Sequence, residues 1–231
     1  MTKKEVVGRL KALGTAQNRK VYGRHGVTGP MFGVSYADIG KLAKKIKVDQ
    51  ALAESLWATG NHDARILATY IADPSAMKSG QIDAWAKDLD SYVIAGAFSK
   101  LVARTPFAEK KAEKWSRARS EWLGQAGWDL VASLALGDAP KPNAWFEEKL
   151  RVIESEVHRR PNRTRYSMNT ALIGIGVRNA SLEKKAVAAA KRIGAIEVDH
   201  GETSCTTPDA VAYIRKTLAH RKTRAQKKGR A

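Results

Sequence analysis

Apolar residues recur at helical spacing along almost the whole chain, and runs alternating apolar and polar at every second position are absent. The pattern predicts helices over 2–13, 15–23, 36–46, 50–58, 62–72, 80–88, 91–103, 107–116, 121–136, 143–158, 164–177, 182–193 and 208–219. Several starts carry a hydroxyl suited to cap the first free N–H groups: Ser35, Ser120 and Ser181 each precede an amphipathic run. Thr105-Pro106 and Thr207-Pro208 add a proline at the first helical position. Connections are mostly short, as antiparallel neighbours require. Helix pairs return at intervals of roughly 40 residues, the spacing of HEAT and armadillo repeats. The expected fold is all-α, a right-handed superhelical array of antiparallel helix pairs, with a compact helical bundle as the competing architecture.

Two segments interrupt the pattern. Residues 24–34, R-H-G-V-T-G-P-M-F-G-V, form a glycine-rich connection, and residues 194–206, G-A-I-E-V-D-H-G-E-T-S-C-T, a polar one. No domain boundary is visible inside 1–219, which reads as one repeat domain. Residues 220–231 are dense in Lys and Arg with almost no apolar content, and read as a flexible basic tail.

Charge narrows the function. A formal net charge of +18 over 231 residues predicts attraction to polyanions. The excess is spread through the body of the chain, which favours nucleic acid over a tail-only effect. One cysteine, Cys205, excludes an intramolecular disulfide. The first residues hold no apolar signal core, and no run approaches the roughly 18 apolar residues a membrane span needs. These features predict a cytoplasmic protein that does not engage membranes.

Residues 88–96 read D-L-D-S-Y-V-I-A-G. This resembles the active-site segment of the HEAT-like-repeat alkylpurine DNA glycosylases, the DNA alkylation repair enzymes, whose pattern is close to D-x-D-S-W-D-x-x-D. In that family the Trp and the last Asp flank the damaged nucleotide. Asp88, Asp90 and Ser91 match, whereas Tyr92 stands at the Trp, Val93 at the next Asp and Gly96 at the catalytic Asp. Other stretches resemble the same family: F-G-V-S at 32–35, L-W-A-T-G-N-H-D-A-R-I-L-A at 56–68, E-W-L-G-Q-A-G-W at 121–128 and N-R-T-R-Y-S-M-N-T-A-L-I-G-I-G-V-R-N at 162–179. The resemblance spans about Val7 to Ile214. Gln125 and Ile173 replace family arginines, and Thr170 replaces a second aromatic residue.

The departures gather at nucleotide-facing positions, Tyr92, Gly96, Gln125 and Thr170 among them. Cleaving an N-glycosidic bond calls for a carboxylate beside the oxocarbenium-like sugar, and stacking walls to hold the base. Gly96 supplies neither. The resemblance therefore implies a DNA-binding scaffold that has kept its shape without the glycosylase chemistry. Under a different alignment Asp88 or Asp90 would be the catalytic carboxylate of an active glycosylase, although an Asp between two helices is more often a cap. A protein-binding solenoid is the third reading.

Lys44, Lys45, Arg159, Arg160, Arg163, Arg165 and Arg178 are the residues expected on a DNA backbone, through phosphate contacts to duplex or branched DNA by a monomer. Asp199, His200, Glu202 and Cys205 form a possible second site, with a loop held by side-chain-to-backbone hydrogen bonds as the plainer reading. The spacing of these groups does not fit a zinc site, and no metal is expected. No glycine-rich phosphate loop follows a strand, so no nucleotide or other cofactor is expected.

Overall fold

The computed structural model describes residues 1–138 and 140–228. The described residues are all-α, with thirteen α-helices and one 3₁₀ turn. Contacts divide the chain into two compact units, a division the hydropathy pattern does not mark. The first holds Met1–Lys114 with His200–Ser204, and the second holds Trp115–Asp199 and the chain from Cys205 onward.

The first unit contains α1 (Lys3–Leu13), α2 (Ala16–Arg24), α3 (Tyr36–Ile46), α4 (Gln50–Trp57), α5 (His62–Ile71), α6 (Ser79–Ala86), α7 (Tyr92–Val102) and most of α8 (Ala108–Ser116). Hydrogen bonds between alternate helices show how they stack. Gln50 of α4 meets Gln81 of α6, and Trp57 Nε1 donates to Asp88 just beyond α6, each 31 residues on. Lys111 of α8 donates to the Ser79 carbonyl of α6, 32 residues away. Partner numbers rise together, so alternate helices run parallel and each intervening helix runs back. Trp57 and Trp85 stack along one such row at 4.3 Å, with Phe98 5.8 Å from Trp57.

The second unit contains α9 (Glu121–Leu136), α10 (Asn143–Glu156), the 3₁₀ turn Val157–Arg159, α11 (Asn162–Gly176), α12 (Ala180–Ile193) and α13 (Ala210–Lys228). Thr164 bonds the Glu121 carbonyl and Ser167 bonds Asp129, so α9 and α11 start at the same end. Lys185 pairs with Glu147 and Arg192 with Glu154, giving α10 and α12 the same parallel relation. This is HEAT-like stacking of antiparallel pairs. Separations here are 43 for Glu121–Thr164 and 38 for Glu154–Arg192, against 31 in the first unit. A single interval near 40 is therefore an average. The cause is helix length: α4 and α6 have 8 residues each, α9 and α10 have 16 and 14.

Every predicted helix is present, with ends within a residue or two except at the C-terminus. Some caps differ. Asn179, not Ser181, accepts from the third residue on, and Asp209, not Thr207, accepts from Ala212. Asn and Asp hold their oxygen on a planar group and cap at least as well as a hydroxyl. Ser91 caps α7 through the Ile94 N–H, so neither Asp88 nor Asp90 has that role. Residues 220–228 of the expected tail continue α13, while 229–231 lie outside the described residues. Ile214 anchors α13, fully buried against Gly176, where a Cβ would come within 2.4 Å of it. Arg221 then donates to the Val177 carbonyl at the end of α11.

Lys47 ends α3 at φ 66°, ψ −145°, close to the φ 73°, ψ −152° of Gly194 at the end of α12. That region is nearly confined to glycine and costs other residues roughly 1–3 kcal/mol. Lys47→Gly is expected to raise stability by about 1 kcal/mol, read as a higher denaturant midpoint at an unchanged slope.

Candidate nucleic-acid interface

In the first unit the glycine-rich connection is latched by one carboxylate. Asp63, fully buried in the first turn of α5, accepts the N–H groups of Phe32, Gly33 and Val34 at 2.6, 3.0 and 2.8 Å. Gly33 sits at φ +81°, and a Cβ there would lie 2.6 Å from the Thr15 carbonyl oxygen. F-G-V-S is thus a backbone shape held by an acidic residue 30 positions away.

The latched segment presents rings. Tyr22 and Tyr36 stack at 5.1 Å, and the Tyr36 hydroxyl meets His62 Nε2 at 3.2 Å. Burial pushes the Tyr22 phenol up to about 12 and Tyr36 higher still. His25 Nδ1 hydrogen-bonds the Tyr92 hydroxyl, which fixes that ring at the start of α7. Gly96 lies one turn further along the same face and is half-buried. Tyr92 thus offers an aromatic surface at the start of α7. Its partner His25 stands in a glycine-rich run whose local pattern suggests no such role.

His62 is 4 % exposed, and its Nδ1 has no partner. Desolvation holds its pKa below 6.5 against the opposing pull of Asp63 and Asp90. The unfolded chain therefore takes up the proton first as pH falls. The contribution is fully present above about 6.5 and is lost as pH drops through the depressed folded value. Melting temperature is expected to fall between pH 7 and 5, and less steeply in His62→Gln; parallel curves for the two proteins would refute this.

Asp88 and Asp90 converge on one arginine. Arg65 Nη1 donates to the Asp88 carbonyl at 3.0 Å and to the Asp90 carboxylate at 3.2 Å, while its guanidinium lies 5.3 Å over the Trp57 ring. The Asp88 carboxylate accepts from Trp57 Nε1 at 2.8 Å. Asp63, Asp88 and Asp90 are therefore each engaged by the protein itself. Lys44 and Lys45 are exposed in the last turn of α3.

In the second unit Gln125 is buried and its amide approaches Asp129 at 3.5 Å, while Asp129 accepts from Ser167 at 2.6 Å. Thr170 is half-buried, bonded to the Tyr166 carbonyl, and Ile173 is buried. The Ser167–Asp129 bond ties α11 to α9, and Gln125, Thr170 and Ile173 carry no cation. The arginines expected on DNA divide in role. Arg178 caps α9 by donating to the carbonyls of Leu134, Ala135 and Gly137, with Phe146 beneath it at 4.7 Å. Arg160 donates to the Ser116 carbonyl and pairs with Glu156, and Arg165 reaches Asn162 at 3.4 Å. The Arg163 backbone N–H is held by Glu121. Arg159 is exposed, as are Arg117 and Arg119, which the basic runs of the sequence do not single out. Exposed Arg215, Lys216, Lys222 and Arg224 add to these along α13.

The possible second site is divided between the units: Asp199 and Cys205 belong to the second, His200 and Glu202 to the first. Asp199 exchanges two backbone hydrogen bonds with the Asn162 side chain, and Thr203 bonds the His200 carbonyl. Among the described residues no group of three or more His, Cys, Asp or Glu is placed to hold a metal ion. No helix among them is long and apolar enough to cross a membrane.

Stacked helix pairs, a latched aromatic loop and a surplus of exposed cations define a HEAT-like-repeat protein of the DNA-glycosylase type. The chain belongs to the DNA alkylation repair enzyme family, whose profile matches residues 6–214. It is similar to a protein of solved structure described as one of "a new family of proteins related to the HEAT-like repeat DNA glycosylases with affinity for branched DNA structures". The two share 32% identity with a TM-score of 0.87, and 95% of each chain is covered. It is also similar to the uncharacterized proteins Lin0241 of Listeria innocua and Lmo0209 of Listeria monocytogenes. They are 29% and 27% identical to it over 90% of this chain and 93% of each of theirs.

Proposed function

We propose that the protein binds DNA through backbone phosphates, prefers branched over linear duplex, and does not cleave the N-glycosidic bond. The observation that carries this reading is the state of Asp63, Asp88 and Asp90. Position 96 is glycine, Asp63 is spent on three backbone N–H groups, and Asp88 and Asp90 are clasped by Trp57 and Arg65. A carboxylate already neutralised by a neighbouring guanidinium is poorly placed to stabilise a developing sugar cation. The net charge of +18 and the branched-DNA affinity of the solved relative support the binding half. The single cysteine fits a reducing cytoplasm, and a monomer suffices for phosphate contacts.

The test follows release of methylated purine from alkylated duplex alongside binding to linear, three-way and four-way DNA. No release above a no-protein control is expected, with tighter binding to the junctions. Affinity is expected to fall linearly with salt on logarithmic axes, by about 0.9 for each phosphate neutralised. Base release that disappears in Asp88→Asn or Asp90→Asn would establish an active glycosylase instead. Salt-insensitive binding to a protein with no DNA affinity would establish the interaction-solenoid reading.

A further inference from the structure

The second unit contains a cleft of about 520 Å³ whose lining includes Arg159 and Arg160, two of the arginines expected on the DNA backbone. Its walls are the 116–119 connection between α8 and α9, Trp128 of α9, the C-terminal half of α10, and Arg159 and Arg160. Gln125 and Thr170 do not line it. Five cations do, Arg117, Arg119, Lys149, Arg159 and Arg160, against two carboxylates, Glu148 and Glu156.

Two donors of residues along the cleft are buried without an acceptor. Trp128 is fully buried and its Nε1–H has no acceptor, and Arg160 Nε is likewise buried without one. Such groups are almost always satisfied, because a buried donor without an acceptor costs as much as a lost hydrogen bond. Lys149 adds a positive charge that is only 2 % exposed, with the Trp145 ring 5.0 Å and Glu148 3.8 Å from its ammonium. A water molecule would satisfy an orphaned N–H, but it would not offset an excess of three positive charges around one cavity. An oxyanion offsets that excess. Guanidinium forks match the oxygens of phosphate in pairs, and the volume lies in the roughly 300–1,000 Å³ range of small-ligand sites.

We propose that this cleft is a binding site for a phosphate monoester, with Arg117 and Arg119 at its mouth and Trp128, Lys149 and Arg160 on its inner wall. The group is carried either by a small phosphate ester or by the 5′-phosphate of a DNA strand end. The site shares Arg159 and Arg160 with the residues expected on DNA, but its first test contains no DNA, so its failure is distinguishable from failure of the branched-DNA reading.

Inorganic phosphate is titrated into the full chain by calorimetry, with ionic strength held constant by chloride. Saturable binding to one site is expected. The double variant Arg117→Ala/Arg119→Ala should weaken it about tenfold or more, since each guanidinium removed takes a charge-assisted hydrogen bond with it. Lys44→Ala/Lys45→Ala in the first unit should leave it unchanged. Duplexes with 5′-phosphate and 5′-hydroxyl ends then separate the sources. A preference for the phosphorylated end that vanishes in the arginine variant assigns a DNA end, and equal binding assigns a small ester. The proposal is overturned if phosphate shows no saturable binding into the millimolar range, or if the arginine double variant, folded by circular dichroism, binds it as tightly as the parent.

Discussion

Asp63→Ala is expected to be among the most destabilising single substitutions in the first unit, although it removes only one small side chain. Three backbone N–H groups depend on this carboxylate, at 2.6, 3.0 and 2.8 Å, and the side chain is fully buried. Hydrogen bonds to a charged group contribute roughly 1.5–3 kcal/mol each, and their loss here leaves donors without partners. The three do not add independently, because they hold one loop; a loss of about 4 kcal/mol is expected. For a chain of this size that corresponds to roughly 8–16 °C in melting temperature. Asp63→Asn keeps the shape and one acceptor oxygen and should lose about half as much. Hydrogen exchange locates the effect: the amides of Phe32, Gly33 and Val34 should lose protection before those of α4. A melting temperature within about 2 °C of the parent would show that Asp63 does not hold the segment. Because that segment carries His25 toward Tyr92, junction binding should weaken with it.

Gly127→Ala should destabilise the second unit by about 2–3 kcal/mol, while Gly8→Ala, also in a helix, stabilises by about 0.5–1 kcal/mol. Helix propensity alone would make both favourable. At Gly8, in exposed α1, an added Cβ meets nothing within 4 Å, so propensity decides. At Gly127 a Cβ would lie 2.2 Å from the Ser116 nitrogen and 2.3 Å from the Trp115 carbonyl carbon. Those atoms are backbone and cannot rotate away, so α9 or the end of α8 with the connection after it must move. That connection forms one wall of the cationic cleft, so phosphate binding should fall in Gly127→Ala while salt-dependent DNA binding through exposed lysines persists. Equal shifts of the same sign in the two variants, measured by denaturant unfolding, would show that close approach is not what selects glycine at 127.

The aromatic cluster and the cationic cleft divide differently between sequence and structure. Residues 88–96 resemble the family's active-site segment, and that resemblance is legible because the groups that carry it are adjacent in the chain. The partners that complete the site are not legible there. His25 reaches Tyr92 across 67 positions, Asp88 meets Trp57 across 31, and Arg160 reaches Ser116 across 44. Nothing in the local pattern distinguishes Arg178, which caps a helix, from Arg159, which faces solvent; the structure alone separates them.

By itself the sequence determined the helices, their order, the family and the excess of positive charge. Those properties follow from local periodicity, capping residues and composition, which act within a few turns of chain. Only the tertiary structure decided which carboxylates are engaged, which arginines face outward, why two glycines in similar helices have opposite requirements, and where unpartnered N–H groups meet in a cleft. Those properties depend on contacts between separate helices, and their register is set by packing between helices rather than by the residues beside them in the chain.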